Sequence, residues 1–136
     1  MPFTYDKATN RISMPPSDTG TIQVDVDWMT VREGDAVVFA IVSGRTGRDI
    51  MLKSAELLLE KDGEGNPVGK AQIRLCNADT RDLRPGRYRW QMRIVTDPAR
   101  DAEGNVIADE CTDNVVSVFG GDAMPEFILE KRGARV

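Results

Sequence analysis

The side chain that most often moves protons near neutral pH is missing from this sequence: none of its 136 residues is a histidine. Histidine is the group whose ordinary titration falls between pH 5 and 8. Ser/His/Asp and Cys/His nucleophilic sites are therefore excluded, and histidine-based metal catalysis with them. Carboxylates remain, 22 of them, and two acidic loops have oxygen atoms at metal-like spacing. Asp62-Gly63-Glu64-Gly65-Asn66 offers oxygens at alternate positions, as the start of a calcium loop does. It departs from the fuller pattern, because Pro67 stands where the sharp-turn glycine belongs and Ile73 where the closing glutamate belongs. In Asp97-Pro98-Ala99-Arg100-Asp101-Ala102-Glu103 three carboxylates share the loop with Arg100, which would compete with a cation. Both read as polar turns. The expectation is no catalytic, cofactor-binding or metal-ligating residue, no cofactor, and no enzyme.

Cys76 and Cys111 are the only cysteines. A cytosolic setting favours free thiols, with a single bridge as the alternative. There is no CxxC, no GxGxxG and no Walker pattern. Trp28 and Trp90 are the residues best suited to stack on a sugar. Both fall on the apolar phase of an alternating segment, which places them in a core, and aromatic residues make up only 6% of the chain.

The elements that would carry these residues are strands. Thr21–Trp28 alternates strictly, with Ile22, Val24, Val26 and Trp28 on one side and Gln23, Asp25 and Asp27 on the other. Arg87–Ile94 does the same, with Tyr88, Trp90, Met92 and Ile94 inward and Arg87, Arg89, Gln91 and Arg93 outward. Period two is the mark of a strand with one buried face. Ala36–Val42 is apolar throughout and rich in β-branched residues, which suits a central strand covered on both faces. Further strands are predicted at Arg11–Met14, Ser54–Glu60, Val68–Leu75, Val115–Phe119 and Glu126–Lys131. The segment from Leu52 to Glu60 also suits a short helix, but its neighbours favour a strand. Turn signals lie between these runs: Gly34-Asp35, Asp62–Pro67, Arg84-Pro85-Gly86 and Glu103-Gly104-Asn105.

Strands at this spacing point to an all-β, immunoglobulin-like antiparallel β-sandwich of about seven or eight strands. The sandwich is expected over residues 1–120. Residues 121–136 would form a hinge around Gly120–Pro125 and a final strand or tail packed on the same domain. A net charge of −4 with interspersed signs argues against a nucleic-acid partner, which would need basic charge gathered on one face. No stretch reaches the roughly 20 apolar residues of a membrane span. The opening Met1-Pro2-Phe3-Thr4-Tyr5-Asp6 lacks the basic start and apolar run of an export signal, so no membrane partner is expected.

One ordered set of segments carries a family resemblance. Asp79-Thr80-Arg81-Asp82-Leu83-Arg84-Pro85-Gly86-Arg87-Tyr88-Arg89-Trp90-Gln91-Met92 has the form D-T-x-x-L-x-x-G-x-Y-x-W-x-(apolar). Before it, in order, come Asp18–Val24, Glu33–Phe39 and Gly69–Leu75. Over residues 14–119 the chain resembles the N-terminal immunoglobulin-like sandwich domain of siphophage baseplate upper protein and related prophage structural proteins. The motif is structural: the glycine turns the chain, and the tyrosine buries its ring while its hydroxyl returns to nearby backbone. It therefore transfers no functional residue. In that family, members often continue into fibre or receptor-binding regions. The resemblance implies a non-catalytic phage or prophage structural or assembly module of a baseplate or tail, located in the virion or in the bacterial cytoplasm during assembly. Its partners would be other virion or tail proteins, or further copies of itself in a homo-oligomer. The alternative is a carbohydrate or cell-surface binding module; a small hydrolase built on clustered carboxylates is the third.

Overall fold

The computed structural model describes residues 4–15, 22–29, 31–43, 46–80, 82–111, 114–119 and 124–130. Among them nine strands form: β1 (Thr4–Asp6), β2 (Arg11–Met14), β3 (Ile22–Trp28), β4 (Ala36–Ser43), β5 (Asp49–Lys61), β6 (Pro67–Leu75), β7 (Gly86–Val95), β8 (Val115–Phe119) and β9 (Glu126–Leu129). A four-residue helical turn, Asn77–Thr80, follows β6, and a 3-10 turn spans Ala108–Glu110.

Hydrogen bonds link the strands in the order β1-β2-β9-β7-β4-β5-β6-β3, with β8 also on β7. β5 turns this path into two layers. Its first half pairs with β4 and its second half, from Glu56, with β6. The helical alternative for Leu52–Glu60 loses because a strand here connects both layers through backbone pairing, which a helix cannot do.

The inward residues meet between the layers. Val24, Val26 and Trp28 of β3 and Ala71, Ile73 and Leu75 of β6 face Phe39, Trp90, Met92 and Phe127. Trp90 is fully buried; its ring stacks on Phe39 at 5.5 Å, and its Nε1–H donates to the Asn10 carbonyl at 2.8 Å. The expected tyrosine tie is present: Tyr88 Oη donates to the Arg84 carbonyl at 2.6 Å, and its half-buried ring meets Phe127 edge-on. Gly69 lies opposite Trp28. A Cβ there would sit 2.5 Å from Val31 Cγ2, so only glycine lets Val31 close over the end of β3.

β4 is covered on both faces, as its unbroken apolar run predicts. Its second face is roofed by the segment between β7 and β8, where Val38, Val95, Ala108 and Cys111 pack together. That segment is held by pairing of Arg100 with Val106 and by the Ile107 N–H donating to the Ala99 carbonyl at 2.8 Å. Here a loop does the work of a third layer.

The architecture is all-β and sandwich-like, but two details of the expectation are corrected. Nine strands form among the described residues rather than seven or eight, since short Thr4–Asp6 has no sequence signal beyond Tyr5. The pairing is also not purely antiparallel, because β9 enters between β2 and β7 and runs parallel to β2. Ile12, Met14, Phe127 and Leu129 are thereby buried together. Of the expected hinge, residues 120–123 lie outside the described residues, as do Thr21 and Lys131. Among the described residues no helix is long and apolar enough to cross a membrane.

Candidate interaction edge

Three strands on this scaffold are paired on one side only among the described residues. β1 bonds to β2, β3 bonds to β6, and β8 bonds to β7. β8 reaches its position through the roofing segment: Asn114 takes a left-handed backbone (φ 60°), which asparagine tolerates better than most residues, and its carbonyl accepts the Thr96 N–H at 3.1 Å. The chain then runs back along β7 with Met92 opposite Phe119, Arg93 opposite Val118 and Ile94 opposite Ser117, and a register shift follows at Val95.

Pairing opposite Met92 sends Phe119 inward, where its ring stacks on Trp90 at 5.6 Å. Val116 and Val118 consequently point outward, 57% and 40% exposed. Beside them on β7, Arg93 makes a two-pronged bond to Asp49, at 2.8 and 3.1 Å, and its Nε donates to Gln91. The guanidinium is engaged with its own chain. The outward side of β8 thus shows Val116 and Val118 and no charge, bare valine at a sheet edge.

Shallow clefts flank β8. One, about 380 Å³, is bounded by Val116, Thr96, Arg32 and Asp35. Another, about 340 Å³, lies between Phe119, Tyr5, Lys7, Asn10, Gln23 and Asp25. In the second the Tyr5 hydroxyl donates to Asn10 Oδ1 at 2.6 Å, and its pKa is raised, first by burial and then by the charge of Asp25.

The residues singled out for chemistry are placed elsewhere. Asp62 and Asp101 head two loops of the same form, Asp-x-Glu-Gly-Asn, built identically. In each, one carboxylate oxygen accepts two backbone N–H groups at 2.9 Å, from Glu64 and Asn66 or from Glu103 and Asn105. Gly65 and Gly104 supply the positive φ (85° and 88°) that closes the turn. Both aspartates have lowered pKa values, first because of the backbone bond from the asparagine and despite some desolvation. These oxygens order a turn. Among the described residues no group of three or more Cys, Asp or Glu could hold a metal ion. Trp28 and Trp90 are buried, 7% and 0% exposed, so neither is available as a sugar platform. Cys76 and Cys111 are free thiols; Cys111 is buried, with its Sγ–H donating to the Ile107 carbonyl.

Sequence reading missed β8 as a site because Val115–Phe119 has the composition of any core strand. Its one usable signal was the absence of charge on either phase, a pattern that calls for covering on both faces. No family model, no characterised protein and no solved structure matches the chain.

Proposed function

We propose that this chain is a non-catalytic structural or assembly module of a phage or prophage particle, associated with a baseplate or tail and acting through protein–protein contacts. The observation that carries the reading is the exposed, uncharged edge of β8. A soluble domain normally guards such an edge with charge, proline or a covering loop. The ordered set of segments ending in Asp79–Met92, taken as a set, supplies the phage assignment, and the Tyr88–Arg84 tie is the physical basis of its last piece. Lack of histidine and the structural use of Asp62 and Asp101 fit a protein that binds rather than catalyses. The carbohydrate-binding alternative is weakened by the burial of both tryptophans.

The test is composition. Particles induced from a strain carrying the gene are purified and analysed by mass spectrometry, and the gene's neighbours are inspected for tail-assembly genes. Stoichiometric presence in the particle, beside such genes, supports the reading. Absence from the particle and from any tail-gene cluster overturns it.

A further inference from the structure

We draw no further inference here: the strongest candidate, the free edge of β8 with Val116 and Val118 exposed, carries none because nothing in the structure shows what covers it, β1 and β3 being half-paired edges among the described residues as well.

Discussion

β3 and β8 are both paired on one side among the described residues, yet they are built in opposite ways. β3 is registered on β6 along its whole length, from Ile22 to Trp28, and is locked at its end by Val31 over Gly69. Its outer face carries Gln23, Asp25 and Asp27, with Asp27 opposite Lys70 of β6. β8 is shorter, breaks register at Val95 and shows valine to solvent. One edge is well anchored and guarded by charge; the other is lightly anchored and bare. Both strands send apolar residues into the main core, Val24, Val26 and Trp28 from β3 and Phe119 from β8. Besides length and register, they differ in what the outward phase shows, charge on β3 and valine on β8.

Removing the floor of the bare edge should have the largest effect. Trp90→Ala deletes a fully buried indole that stacks on both Phe39 and Phe119, and should cost about 3–5 kcal/mol in denaturant unfolding. A loss below about 1 kcal/mol would mean that the ring is not part of the packed core. The anchor of the guarded edge comes next. Gly69→Ala forces a methyl into Val31 and should cost about 1–3 kcal/mol by overpacking, with Val31→Ala partly restoring stability in the double variant.

Stripping the guard should convert one kind of edge into the other. Asp25→Val with Asp27→Val should leave the fold intact but drive association beyond the wild-type mass, as sedimentation velocity would detect. An unchanged distribution would show that the aspartates do not protect β3.

Acid should weaken a link remote from both edges. Asp79 follows β6 in the helical turn; its carboxylate accepts from Lys53 Nζ at 2.6 Å and from the Cys76 N–H at 2.8 Å. Burial pushes its pKa up, but these bonds outweigh burial and hold it below the usual carboxylate range. A depressed folded pKa means that the contribution is full above the unfolded value of about 3.9 and is lost as pH falls through the lower folded value. Asp79→Asn should thus be less stable than wild type at neutral pH, and the two should converge in unfolding midpoint as the solution is acidified. A gap that persists at every pH would assign the effect to something other than charge. Smallest of all, carboxyl NMR titration should place Asp62 and Asp101 together, both below an ordinary aspartate, because the two loops use the same backbone bonds.

Much of the fold was legible because alternation encodes burial directly. Val24, Val26 and Trp28, or Trp90, Met92 and Ile94, can share a side only in an extended chain, and every one of them is buried. Arg11–Met14 and Val115–Phe119 were readable to the residue. Pairing was not. Nothing in Glu126–Leu129 says that it runs parallel to β2, because a strand's side-chain pattern is the same whichever way its neighbour points. The roof over Val38 was equally hidden, since Ala99, Val106 and Ala108 lie in a segment with no regular period.

Sequence by itself determined the strand phases, the turn chemistry of the two Asp-x-Glu-Gly-Asn loops and the exclusion of histidine chemistry, because each depends on residue type and local spacing. Tertiary structure alone decided which apolar strand would be covered. Ala36–Val42 and Val115–Phe119 are both uncharged, valine-rich runs, but β4 lies between β5 and β7 beneath a loop, whereas β8 flanks β7 with Val116 and Val118 exposed. Burial of a strand's second face depends on what the rest of the chain brings to it, and that is a property of the whole fold.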